Sequence, residues 1–147
     1  MLNLLKKHLK NEKGLTLIEL LVVIVILGII SAIAVVAVGG VLDNSKKDAH
    51  IANAEQMINA ARMAVISENN TSGATYTMEK LIELGHLESK PSDPSSTGYD
   101  GANSVVVVSK GTNTGNLTYS VTLAQSATKK YITSQSKPTR NNVTLNP

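Results

Sequence analysis

Nineteen consecutive residues, Leu20 to Val38, contain no charged side chain, and no other property of the sequence restricts the fold so severely. The run extends in almost wholly aliphatic form from Leu15 to Leu42 and contains no proline. Its 28 residues would reach roughly 42 Å as a helix, more than the ~30 Å hydrocarbon core of a bilayer. Backbone groups in lipid must bond within the segment, which leaves helix as the available conformation despite the β-branched content. Gly28, Gly39 and Gly40 are the points where it would loosen, at ~1 kcal/mol each relative to alanine.

No break separates this run from the next. From Ile51 the apolar residues fall at Ile51, Ala54, Ile58, Ala61 and Val65, a 3-4-3-4 spacing that makes one helical stripe. Lys46, Lys47, Asp48, Glu55, Arg62 and Glu68 lie off it. The spacing predicts one continuous helix of about fifty residues, apolar all round at its start and amphipathic over residues 43–68. Asn69, Asn70 and Gly73 stop it.

Residues 69–103 are rich in Ser, Thr, Gly, Asn and Pro and are expected to be mostly loop. A short helix interrupts them: Thr77 caps it, Tyr76 and Leu81 form a hydrophobic staple, and Gly85 closes it. Val105 to Val108 suits a strand buried on both faces. Leu117, Tyr119, Val121 and Leu123 alternate with Thr118, Ser120, Thr122 and Ala124, as in a strand with one apolar face. Gly111 to Asn116 is a hairpin loop, Tyr131 to Thr133 a third strand and Val143 to Leu145 a candidate fourth. So small a sheet needs a helix across one face, and the stripe through Ile51 and Val65 supplies it. The expected fold is α+β: a long N-terminal helix carrying a small antiparallel sheet. The expected organisation is a leader at 1–14, an apolar helix at 15–42, an amphipathic helix at 43–68 and a head at 69–147. The length of 147 residues fits one domain with an appendage.

The formal net charge of +3 is concentrated at the start. Lys6, Lys7, Lys10 and Lys13 face only Glu12, so the first fourteen residues carry +3 and the side chains of the rest sum to zero. Lys-rich flanks stay cytoplasmic, so the leader is a topology signal rather than a nucleic-acid contact. The absence of cysteine excludes a disulfide framework, a thiolate metal site and a cysteine nucleophile. Without Phe or Trp the core must be aliphatic.

The unusual residue of the apolar run is Glu19. A charge at the middle of a membrane helix costs ~2.5–3.5 kcal/mol on insertion scales, and less near the interface where Glu19 falls. The bland alternative is a carboxylate that reaches up to the headgroups. Its context is Lys13-Gly14-Leu15-Thr16-Leu17-Ile18-Glu19-Leu20-Leu21: a basic leader ending in Gly, then Leu, Thr, Leu, Ile, Glu and a long aliphatic helix. This resembles the class III signal of type IV prepilins and pseudopilins, over residues 6 to 42 in motif and over the whole chain in architecture. The resemblance implies cleavage between Gly14 and Leu15 by a membrane-embedded prepilin peptidase, and N-methylation of Leu15. It implies assembly through Thr16 and Glu19 into a helical homopolymer on the cell surface, after residence in the cytoplasmic membrane. It further implies as partners minor pilins, a membrane platform and an assembly ATPase, with no cofactor and no catalytic role. Leu15 departs from the Phe more common in such families. The chain also lacks the mid-helix Pro and the C-terminal disulfide found in many pilins.

Within that family a pilin for adhesion, motility or DNA uptake ranks above a secretion pseudopilin. A cysteine-free chain rich in Lys and Asn resembles Gram-positive and competence-type pilins, and Lys110, Lys129, Lys130, Lys137 and Arg140 could touch DNA, though a solvated face of a near-neutral head ranks first. The rival from another class is an exported or membrane-anchored binding domain, with Ala32-Ile33-Ala34 as a secretory cleavage site. An enzyme ranks third, since no Ser-centred elbow or His pair supports a hydrolase. His8, His50 and His86 have no metal-ligand spacing and are expected at the surface or its boundary. Asp93 and Asp100 flank a loop that could take a hard cation, but such carboxylates are more often solvated. The Asn-x-Ser/Thr matches at Asn69, Asn70, Asn116 and Asn142 are expected by chance in this composition.

Overall fold

The structure, a computed structural model, describes the backbone of residues 2–111 and 115–147 and the side chains of residues 16–111 and 115–147. Helix α1 occupies Leu2–Ser67, so the helical backbone starts within the leader rather than after it. The chain divides into two compact units, Met1–Leu42 and Asp43–Pro147.

In the first unit the described side chains of the helix are exposed. Eighteen large aliphatic side chains between Leu17 and Leu42 are 48–79% exposed. At ~1.5–3 kcal/mol for each such side chain removed from water, keeping them wet would cost several tens of kcal/mol. The Ser31 hydroxyl donates to the Leu27 carbonyl at 2.7 Å, so this polar group is satisfied within the helix, as lipid requires. Thr16–Ser67 is the one described helix long and apolar enough to cross a membrane.

The second unit is built on the other end of α1. Ala54, Met57, Ile58, Ala61, Ala64 and Val65 are buried, widening the expected stripe by one position per turn. The chain turns away after α1 at Asn69, which takes φ +50° while the Asn70 amide donates back to the Val65 carbonyl at 3.0 Å, a turn that consumes an orphan carbonyl of the last turn. The stripe packs into one core with strands β1 (Gly73–Thr77), β2 (Val105–Lys110), β3 (Leu117–Ala124) and β4 (Lys130–Gln135). The sheet is an antiparallel meander in the order β1-β2-β3-β4. Tyr76 pairs with Val106 and Val106 with Val121, aligning three inward side chains across three strands. The register shifts between β3 and β4, and the consecutive residues Tyr131 and Ile132 are both buried there, as an irregular strand permits.

Helix α2 (Met78–Glu83) starts as expected, with the Thr77 hydroxyl accepting from the Lys80 amide at 3.1 Å. Gly85 closes it with φ +74°, a conformation that glycine reaches without strain. Met78 and Leu81 are buried.

Three expectations are corrected. Residues 73–77 form a strand, not a loop, and Tyr76, directly before the Thr77 cap, is a core residue of that strand that shares a core with Leu81. Its hydroxyl donates to Glu68 at 2.6 Å. The β2 run is buried on one face only, with Val107 37% exposed, because the helix covers a single side of the sheet. Val143 to Leu145 is not a strand: a 3₁₀ turn at Arg140–Asn142 precedes it. Val143 is buried, and the Thr144 amide donates to the Tyr131 carbonyl at 2.9 Å.

Candidate functional site

Thr16 and Glu19 lie three residues apart on α1, so they share a helix face, and both are exposed. Glu19 stands between Ile18 (62% exposed) and Leu20 (67%), a carboxylate set into an aliphatic surface. Among the described residues it makes no ion pair or hydrogen bond. The backbone of Gly14 and Leu15 belongs to α1; the side chain of Leu15 and its surroundings lie outside the described residues. Gly28, Gly39 and Gly40 have open space where a Cβ would stand.

The head contains a polar cluster centred on His50. His50 is completely buried, not at the surface. Its Nδ1 is 2.7 Å from the Tyr99 hydroxyl and its Nε2 2.9 Å from Ser95 Oγ. Its ring stacks on Tyr131 with centroids 4.2 Å apart. Asn53 Nδ2 donates to Tyr99 Oη at 3.0 Å and to the Ser92 carbonyl at 2.9 Å. Burial pushes the imidazole pKa down, outweighing the opposite pull of Asp93, and burial raises that of the Tyr99 hydroxyl. The signal was present: His50 lies four residues before Ala54, on the buried stripe extended by one turn.

Both loop carboxylates accept hydrogen bonds from their own turns. Asp93 accepts from the Ser95 and Ser96 amides at 2.8 and 3.1 Å and from the Ser96 hydroxyl at 2.6 Å. Burial works against its charge, but the Ser96 and Ser95 hydrogen bonds prevail and hold it below the usual carboxylate range. Asp100 accepts from the Ala102 and Asn103 amides and from the Asn103 side chain, which lowers its pKa too. Among the described residues no three His, Asp or Glu side chains converge as metal ligands.

Residues 104–147 contain five cations and no carboxylate. Arg140 is held by both carboxylate oxygens of Asp48 at 2.6 Å. Lys110, Lys129, Lys130 and Lys137 are exposed and make no ion pair with a described residue.

Residues 9–35 match the family model described as the prokaryotic N-terminal methylation motif. The match includes Gly14, Leu15, Thr16 and Glu19 and ends inside the exposed aliphatic segment. No curated protein and no solved structure matches the chain. The motif is the class III signal of type IV pilins, and it implies peptidase processing and assembly into a filament. An apolar helix that follows such a signal fits anchoring in the membrane before assembly. This signal stands at the head of a long apolar helix followed by a four-stranded antiparallel sheet, a pilin-like arrangement, and the motif supports a type IV pilin-like or pseudopilin protein.

Proposed function

We propose that this chain is a structural subunit of a type IV pilus or pilus-like filament and not an enzyme. Prepilin peptidase cuts it between Gly14 and Leu15 and the new amino group of Leu15 is methylated. The mature chain waits as a single-pass protein of the cytoplasmic membrane. It then polymerises through α1 with the help of a membrane platform, an assembly ATPase and minor pilins. The observation that carries this reading is Glu19, a carboxylate with no ion-pair partner among the described residues, on an otherwise aliphatic helix surface.

Lipid tails are as apolar as leucine, so moving this helix from a bilayer into a bundle of its copies brings little hydrophobic gain. Close packing and polar pairs must drive the association. Cleavage converts a neutral peptide bond into an ammonium at Leu15, four residues from Glu19. The amine of one subunit then meets Glu19 of a neighbour at a staggered height. A pair at about 4 Å interacts by about 4 kcal/mol at an effective dielectric of 20, and sets register and direction together. Thr16, one turn from Glu19, adds a hydroxyl to the same polar spot. Gly28, Ser31, Ala32, Ala34 and Ala37 let neighbouring helices approach. The filament serves adhesion, motility or DNA uptake, and the exposed lysines of residues 104–147 are a solvated face that would also admit DNA as a further partner.

The test combines N-terminal sequencing of the mature protein with electron microscopy of the cell surface. The wild type is expected to begin at Leu15. Glu19→Ala and Glu19→Gln are expected to be cleaved at the same bond and to form no filaments. Normal filaments from either variant would overturn the role of Glu19. A mature start at Val35 would replace the filament subunit with a secreted domain.

A further inference from the structure

We propose that His50, Tyr99, Ser95 and Asp93 form an acid-sensitive latch, which holds residues 92–99 against α1 and releases them when the imidazole gains a second proton. Four hydrogen bonds cross from α1 to this segment: His50 to Tyr99, His50 to Ser95, Asn53 to Tyr99 and Asn53 to Ser92. All of them come from two residues less than one helical turn apart, so the segment is fastened to α1 at a single place, while its far end is held separately by the Asp100 and Ser104 bonds to Ala124 and the Gly101 and Ser104 carbonyls to the start of α2.

The partners select the neutral ring. Tyr99 Oη already accepts from Asn53, and its one proton is best used by donation to His50 Nδ1. That assigns the ring proton to Nε2, where Ser95 Oγ accepts it. A second proton on Nδ1 turns the Tyr99 hydroxyl from donor into acceptor and strands its hydrogen in a buried site. Unsatisfied buried donors are costly, and the charge itself is desolvated there.

The surroundings do not rescue the cation. The titratable groups facing the ring are Asp93 and Tyr99 from the segment and Tyr131 from β4. Asp93 Oδ1 lies 4.0 Å from Nε2, but that oxygen accepts both the Ser95 and Ser96 amides. To close on an imidazolium the carboxylate would have to leave the turn it organises. The flanking Asp48–Arg140 pair is exposed and self-neutralised.

The sign follows from proton counting. The released imidazole titrates at its ordinary 6.5 and the latched ring below that value, so between the two the released form binds one more proton. The latched-to-released ratio therefore falls by up to about tenfold per pH unit below 6.5, and is independent of this ring above it. Asp93, held below its ordinary 3.8, adds a separate loss only at lower pH.

The experiment is hydrogen exchange on the full chain in detergent micelles at pH 7.5, 6.0 and 5.0, corrected for intrinsic rates. Protection at residues 92–99 is expected to fall by up to about tenfold per unit between pH 6.0 and 5.0, while β2 and β3 hold. His50→Gln is expected to abolish that dependence and His86→Gln to keep it. Protection that does not change with pH in the wild type, or an unchanged acid loss in His50→Gln, would overturn the latch. Should His50→Gln fail to fold, ring-nitrogen shifts of wild-type His50 decide. Protonation coincident with the amide changes supports the proposal, and protonation without them refutes it.

Discussion

Ser104 offers a measurement of how the end of the sheet is held. It is fully buried immediately before β2. Its Oγ accepts from the Ala124 amide at 3.0 Å and approaches the Ala124 carbonyl at 3.3 Å. That carbonyl also accepts the Asp100 amide at 2.8 Å, so it stays satisfied if the hydroxyl is removed. The Ala124 amide does not, and Ala124 is itself fully buried. Ser104→Ala removes one oxygen and leaves too small a void for water to enter, so the cost is that of one orphaned buried donor, ~1–3 kcal/mol. A head of this size has a urea slope of roughly 1–2 kcal/mol per molar, so the midpoint should drop by about 1 M. The assay is urea unfolding of the full chain in micelles, followed by the near-ultraviolet dichroism of its buried tyrosines. Ser109→Ala, at an exposed position of β2, is the control and should change stability by less than ~0.5 kcal/mol. Equal midpoints for the two variants would refute the reasoning.

Gly73→Ala should cost ~1–3 kcal/mol in the same assay. Gly73 has φ +107°, and an added Cβ would stand 2.8 Å from the Val108 carbonyl oxygen of the paired strand, so an unchanged midpoint would contradict the strand assignment there. At low pH, the depressed Asp93 contributes stability that is complete above 3.8 and is lost as the pH falls through its lowered value. Asp93→Asn keeps an acceptor for the two amides without titrating, so its acid unfolding below pH 3.8 should be shallower; superimposable acid profiles would exclude this carboxylate as a source of acid lability.

The parts of the fold legible in the sequence were those where solvent or lipid imposes a period. The uncharged run announced its helix, the 3-4 spacing from Ile51 announced the face that meets the sheet, and the alternation from Leu117 to Leu123 announced β3. The Thr77 cap was also legible, because a hydroxyl at that offset has one economical use. Strand β1 was not, since five residues with a single buried side chain, Tyr76, have no alternation to read and are held by pairing with β2. Val105 to Val108 misled in the other direction: a β-branched run records a preference for extended backbone, not how many faces are covered. Val143 is anchored as an apolar residue should be, by burial and one backbone bond at Thr144, without a ladder. In the candidate assembly segment, Glu19 was conspicuous because charge in an aliphatic run has no structural use. His50 escaped notice because a lone histidine on a helix is usually wet, and only three distant residues, Ser95, Tyr99 and Tyr131, make it otherwise.

The order of the sheet has a consequence for biogenesis. Every strand pairs only with the strand before or after it in the chain, so no crossover must wait for a remote partner and contact order within the sheet stays low. The β2–β3 and β3–β4 hairpins would close in about 1–10 μs, and β1 then adds to β2 across the segment that holds α2. With no cysteine to oxidise, the head can mature as fast as its strands pair and dock on α1, requiring neither an oxidant nor an isomerase of disulfides.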